Sequence, residues 1–527
     1  MSAINAAQAS VKTVADPNAL YESLKPLWNK SRAICSGERF VKELDGVIDI
    51  NRFSNLLIPF SPSMSQQQYD FYKAEAELPG ITAQFSKMLV GGLLRKQPLL
   101  QLPEGVPKEA HDWIMNAFGR DDSPMSAFLD LALWEEVQTS RAWVFIDYPN
   151  IPEAESLTQE ELNKYKPYPV LYSAESIINW RVNQDKYGVS RLNRVIVRGF
   201  SESYEDNEFH PVYKDTCWVH ELDEAGNYQI RVFKRKDNTT NLPVVSGQQV
   251  KDPSSQKIVF ELEDTITNIM SNGERLKEIP AWPLNGNVEP SEPMLSPIVD
   301  KEIALYNKLS RRNHLLYGAS TYTPVIISDM SDEDFDDVVS GGLGTWIRLR
   351  QGDDAKVLET PTAALQDMDR AIAASIEEMA KLGIRMLTPE SAQSGIALEI
   401  RNAAQTAQLG TLNNKVSNVM RQVICFMINW RYDLDLKPSN IDFSLSADFN
   451  PIPLGADWLR LATEWYQQGL IPRSIWLQIL KQNDIVPPDY DDAEGQQEIN
   501  GDPMLNKPAD QAYSDKIKKM LEGNQNA

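Results

Sequence analysis

Apolar positions along this chain recur at two spacings, and the switch between them divides it. Over 21–37, 65–78, 81–94, 107–118 and 124–140 they return at the spacing of one helix face. Leu24, Leu27 and Trp28 mark the first face; Ile81, Phe85, Met88, Leu89 and Leu93 mark the third. The pair Gly91-Gly92 near its end predicts a close backbone approach. A dense apolar run at 141–149, stopped by Pro149, predicts a buried strand. After a polar connector at 150–167, the residues alternate or turn β-branched and aromatic at 194–200, 215–222, 228–235 and 258–262. With the turn signal 223–227 between two of them, these runs predict a small antiparallel sheet, with an excursion at 237–256.

Helical spacing returns at 296–318. Ile298, Leu305, Leu309 and Leu316 share one stripe, Lys308, Arg311 and Arg312 lie outside it, and Gly318 is a suitable stop. Such a helix is on the order of 35 Å long. A compact insertion follows: strands at 323–327, 345–349 and 356–358 and a helix at 331–339, capped by Ser331. This predicts a β-α-β-type unit. The next helix, 364–386, carries Leu365, Met368, Ile372, Ile376, Met379, Leu382 and Met386 on one face. A loop of small residues with one charge, Glu390, leads to a helix over 396–431, on the order of 50 Å long. Its second half holds a core stripe: Leu409, Leu412, Val416, Val419, Val423, Phe426 and Trp430. A strand at 441–445, helices at 457–468 and 472–482, and a polar, acidic tail complete the α+β pattern.

Composition narrows the function classes. A net charge of −22 over 527 residues argues against wholesale coating of nucleic acid, yet suits a surface that DNA slides past. Three dispersed cysteines, Cys35, Cys217 and Cys425, predict no disulfide framework and a reducing compartment. No apolar run is long enough to span a membrane, and 1–16 lacks the apolar centre of a signal peptide.

Candidate chemistry adds little. No nucleotide-hydrolase phosphate loop or nucleophile elbow occurs, and Gly341, Gly342 and Gly344 read as a turn. Cys217 and His220, with His210 nearby, have ligand-like types but no second pair at zinc spacing, so they read as core residues. The run Asp332, Glu333, Asp334, Asp336 and Asp337 has Asp337 where a calcium loop needs glycine and Leu343 where it needs glutamate. It reads as a carboxylate-rich helix start. His111, His210, His220 and His314 stand in no catalytic context. The expectation is a non-enzyme with no catalytic residue, metal or cofactor.

One resemblance covers roughly residues 20–480. It rests on Leu78-Pro79-Gly80 followed by 90–98 (VGGLLRKQP), 142–149 (AWVFIDYP) and 177–181 (IINWR). It continues through Ile279-Pro280 with Leu284-Asn285-Gly286, 300–307, and 394–398 (SGIAL) opening the long helix. In their order and spacing these stretches resemble the portal proteins, or head-to-tail connectors, of tailed double-stranded-DNA bacteriophages. The resemblance implies a flexible arm (1–20), a wing of helices and antiparallel sheet (21–293), and stem helices (294–318 and 362–386) flanking a small α/β clip (319–361). It also implies a tunnel loop (387–396), a long wing helix and strand (397–450), a helical crown (451–490) and a polar, disordered tail (491–527).

Such a protein forms a dodecameric ring at one capsid vertex of the virion, after assembly in the host cytoplasm. It is a channel for genome packaging and ejection, meeting terminase, a head-tail adaptor, and the major capsid and scaffolding proteins, with no membrane partner. Thr388, Glu390, Ser391, Gln393, Ser394 and Gly395 would face double-stranded DNA in the tunnel, with Lys308, Arg311, Arg312, Arg385 and Arg401 as basic candidates near it. The alternative is a structural scaffold or capsid-associated protein that passes no DNA.

Overall fold

The computed structural model describes residues 13–44, 56–59, 61, 64–149, 165–184, 188–204, 209–236, 259–271, 273–320, 323–327, 331, 354–358, 362–381, 395–445, 456–482, 485–486, 490 and 495. The chain divides into two compact units, Met1–Phe449 and Asn450–Ala527.

The first unit opens with α1 (Ala19–Ser36) and α2 (Glu38–Leu44). The Asn18 side chain accepts a hydrogen bond from Leu20 N, and its own amide donates to Ile178 O at 2.9 Å. The described part of the expected arm is therefore tied to the sheet; residues 1–12 lie outside the described set. Next come α3 (Gln66–Glu75), begun by a Ser65–Gln68 capping box, and α4 (Ile81–Leu93). β1 (Leu99–Gln101), α5 (Lys108–Asn116) and α6 (Met125–Thr139) follow. A Cβ at Gly91 would meet nothing, and one at Gly92 only Leu409 Cδ1 at 3.8 Å, ordinary contact. The expected close approach at this pair is absent.

β2 (Trp143–Asp147) lies between β3 (Tyr168–Tyr172) and β11 (Ala281–Pro283). β4 (Ile177–Gln184), β5 (Ser190–Ser203), β6 (Val212–Leu222), β7 (Tyr228–Arg235) and β8 (Phe260–Ile266) form an antiparallel meander in chain order. Three of these strands, β3, β4 and β11, have no counterpart in the pattern read from the sequence. Short strands β9 (Met270–Ser271) and β10 (Glu274–Arg275) pair with each other.

Then come α7 (Ser296–Ser320), β12 (Thr323–Ile327), β13 (Asp354–Leu358), α8 (Thr362–Lys381) and α9 (Gly395–Tyr432). β14 (Asp442–Ser444) pairs with β1, joining residues far apart in sequence. The expected helix at 331–339, Ser331 apart, and strand at 345–349 fall outside the described residues, as does the expected loop 387–396 as far as 394; its last two residues belong to α9. β12 and β13, the first and last strands of the insertion, run antiparallel, while its expected middle strand lies outside the described residues.

Two hydrophobic clusters fill this unit. The first joins α1, α4, α6, α7 and α9; Leu305, Tyr306, Val416, Val423 and Ile428 in it are fully buried. The second lies under the meander and gathers Trp28, Trp143, Trp180, Val195 and Val197. Phe426 and Trp430 of α9 pack against both. Arg141, 1% exposed, sits among the rings of Trp28, Trp143 and Trp180, its guanidinium 4.3 Å from the Trp180 centroid. In the second unit, α10 (Ala456–Gln467) and α11 (Arg473–Gln482) form a helical hairpin around a Tyr466–Trp476 stack. Gly469 supplies the left-handed turn residue between them at φ 72°.

Two expected core positions are exposed. Leu316 lies on the same line of α7 as Ile298 but is 44% exposed, because the helix outruns the elements packed along it. Ile376 is 47% exposed, because the buried line of α8 runs through Ile372, Ser375 and Met379 and leaves Ile376 at its edge. Lys308 hydrogen-bonds Ser375, which accounts for a serine in that line.

Candidate functional site

The stretch with the most specific geometry is the arm made by α7, β12, β13 and α8. Three side-chain contacts fix the helix register. Lys301 pairs with Glu378, Lys308 Nζ donates to Ser375 Oγ at 2.6 Å, and Arg312 pairs with Asp369. As one partner advances along α7 the other retreats along α8, so the helices are antiparallel. The strands continue the same register outward, from Thr323 opposite Leu358 to Ile327 opposite Asp354. The chain therefore leaves the core along one helix and returns along the other, with a paired strand segment beyond their ends.

The base of the arm is anchored in the first cluster. Glu302, fully buried, accepts hydrogen bonds from Ile81 N at 2.9 Å and Thr82 N at 2.7 Å. Those are free amides of the first turn of α4. The residue before that helix, Gly80, has φ 72° and no side chain to cap it, so a carboxylate from α7 does so instead. Asn307 holds the segment before α3 from both sides, accepting from Ile58 N and donating to Leu56 O, each at 2.8 Å. Lys30 of α1 pairs with Asp300. Farther out, His314 meets the Tyr72 ring edge-on at 5.3 Å and Tyr317 meets Phe71 at 5.9 Å.

α9 is the strut behind the arm. Its buried stripe presses on the core, and β14 lies along it. Arg421 Nε donates to Phe443 O at 3.1 Å, and Leu445 N donates to Ser417 Oγ at 3.2 Å. Asn429 stops the chain after the helix by donating to Leu436 O and accepting from Leu436 N, both at 2.9 Å.

The basic candidates divide between the described and the undescribed. Lys308 and Arg312 bridge the two helices, and Arg311 lies against the Tyr72 hydroxyl. Arg385 lies outside the described residues; Arg401 is in α9, with its side chain outside them. Of the tunnel-loop candidates, Thr388, Glu390, Ser391, Gln393 and Ser394 lie outside the described residues, and Gly395 opens α9.

Several ionisable groups are buried in the core. Burial pushes the Glu136 carboxyl up to about 8, against the pull of the Ala142 amide, Lys415 and Arg141. Burial likewise holds Arg141 down at about 9. Cys217 and His220 lie on opposite faces of β6; His220 Nδ1 is 2.6 Å from the Tyr228 hydroxyl, and burial lowers its pKa to about 3. No three His, Cys, Asp or Glu among the described residues are grouped to hold a metal ion. An open polar groove is lined by Arg191, Arg275 and Lys277 and by Glu274, Glu278 and Asp433. No described helix is long and apolar enough to cross a membrane.

A family model described as a domain of unknown function (DUF4055) matches residues 293–431, which is the arm together with α9. No curated protein matches the sequence. Two solved structures are similar in outline. One, titled "Virion of native gene transfer agent (GTA) particle", has a TM-score of 0.38 and 8% identity, covering 75% of this chain and 87% of its own. The other, titled "Neck of empty GTA particle computed with C6 symmetry", has a TM-score of 0.38 and 9% identity, covering 79% and 93%. Likeness this low carries no weight in the assignment of function.

Proposed function

We propose that this chain is a structural subunit of a tailed-phage-type virion. Within that class we read it as the portal, a ring at one capsid vertex through which DNA is packaged and ejected. The observation that carries the reading is the arm. Two antiparallel helices, anchored at their base by buried Glu302 and Asn307, carry a paired strand segment at their far end. That construction supports a stem with a docking clip. The ordered motifs from Leu78-Pro79-Gly80 to 394–398 support the same family.

The assignments follow from it. Helices 294–318 and 362–386 act as the stem, 319–361 as the clip that meets terminase and then the head-tail adaptor, and 387–396 as the loop facing DNA. The protein does no bond-making chemistry in this reading. Its cations on α7 hold the stem helices together, and its acidic surface keeps passing DNA from sticking. A conduit of this kind must close by head-to-tail contacts into a ring. Imaging of the purified full chain tests this.

A further inference from the structure

The meander sheet holds a charge arrangement that the portal reading does not use. Glu221 of β6 is 5% exposed, yet it accepts three hydrogen bonds from its own sheet. Arg194 Nε and Arg231 Nε each donate to it at 2.6 Å, one to each carboxylate oxygen, and Gln229 Nε2 donates at 3.1 Å. Burial alone would raise this carboxyl; the bonds from Arg231 and Arg194 outweigh it and hold the group below its ordinary range. Both guanidiniums are thus fixed through Nε, and their terminal amino groups have no partner among the described residues. Those side chains are 40% and 32% exposed, and Arg231 is braced over the Phe233 ring at 5.4 Å. Arg181 of β4 stands directly opposite Arg194 in the strand register, exposed and with no partner among the described residues.

Two guanidiniums therefore hold one carboxylate, and a third arginine stands beside them in the strand register, on a chain of net −22. Like charges placed opposite each other across a strand pair destabilise the sheet. The fold nevertheless places them together, and the side chains of Arg194 and Arg231 remain partly exposed. A guanidinium fork suits the two oxygens of a carboxylate. An arginine braced on an aromatic ring is also the kind of anchor that concentrates binding energy at protein interfaces.

We infer that Arg181, Arg194 and Arg231 form a docking site for acidic side chains of a second copy of this chain. Charge complementarity selects that occupant, since each copy presents a strongly acidic surface. The same net charge disfavours a nucleic-acid occupant. The inference rests on the ring reading above and assigns one of the ring's lateral contacts.

The test compares full-length wild type with two variants by mass photometry across a concentration series. Arg181→Glu touches no side-chain contact among the described residues, so its fold should match wild type in thermal unfolding. Arg194→Gln combined with Glu221→Gln removes the fork without leaving a buried charge unpaired. Each variant is expected to need at least about tenfold more protein for half-assembly, and added salt should weaken wild-type assembly. Folded variants that assemble at the wild-type concentration would overturn the site and leave the ring reading standing. Wild type that stays monomeric overturns both. A short DNA duplex bound by wild type and released by Arg181→Glu, with assembly unchanged, gives the site to nucleic acid and overturns the second-copy occupant.

Discussion

Glu302 caps a helix that begins 221 residues before it: its carboxylate takes the Thr82 amide at 2.7 Å and the Ile81 amide at 2.9 Å. The arm's first helix and the N-terminal helical layer are thereby one cooperative piece. Glu302→Ala leaves two amides without an acceptor in a dry site and should cost about 3 kcal/mol. Glu302→Gln keeps one acceptor oxygen and should cost about half as much. Chemical denaturation of the full chain measures both; equal and negligible losses would show that the cap contributes little.

The continuous register of the arm predicts which positions can be cross-linked. Thr323 and Leu358 are directly opposed, at the Cα separation an antiparallel pair imposes and a disulfide tolerates. A Thr323→Cys/Leu358→Cys chain should oxidise readily. Thr323→Cys/Asp354→Cys, four residues out of register, should not. The native Cys35, Cys217 and Cys425 are all buried, so they compete little. Reversed yields in the two variants would contradict the strand pairing.

Two buried groups give opposite pH dependences. Glu136 has a folded pKa raised to about 8 from 4.5, so the stability it contributes is full below 4.5 and falls as pH rises toward 8. Arg141, depressed to about 9, alters the balance only above that pH. Glu136→Gln should therefore flatten the fall in stability between pH 4.5 and 8. His220 is depressed to about 3 from 6.5, so its contribution is full above 6.5 and is lost as pH falls toward 3. His220→Phe should remove that acid limb while losing the bond to Tyr228. Urea midpoints against pH measure both; unchanged slopes would show that these groups titrate elsewhere.

Much of this fold could be read from periodicity, and the exceptions share a cause. α7 and α9 were visible because their apolar stripes are long and regular. β14 is legible through the alternation of Ile441, Phe443 and Leu445, but its partner β1 is not, since Leu99–Gln101 has no such alternation around it. β4 was noticed only as the motif 177–181, because half its residues are polar and lie at a sheet edge. Leu316 and Ile376 followed the helical pattern and still face solvent, because periodicity tells which face is apolar but not how far the packed body extends. Glu302 lies in the stretch 300–307 that carries the resemblance, but nothing in the sequence marks it as a helix cap. A charged residue in a core becomes intelligible only when the helix end it caps is placed beside it.

The central claim is that the arm belongs to a subunit of a closed ring. Negative-stain imaging of the purified full-length chain, with mass photometry on the same sample, tests it most directly. The account predicts closed rings with a central opening and a mass near that of a dodecamer. A stable monomer at high concentration, or open chains that never close, would contradict it.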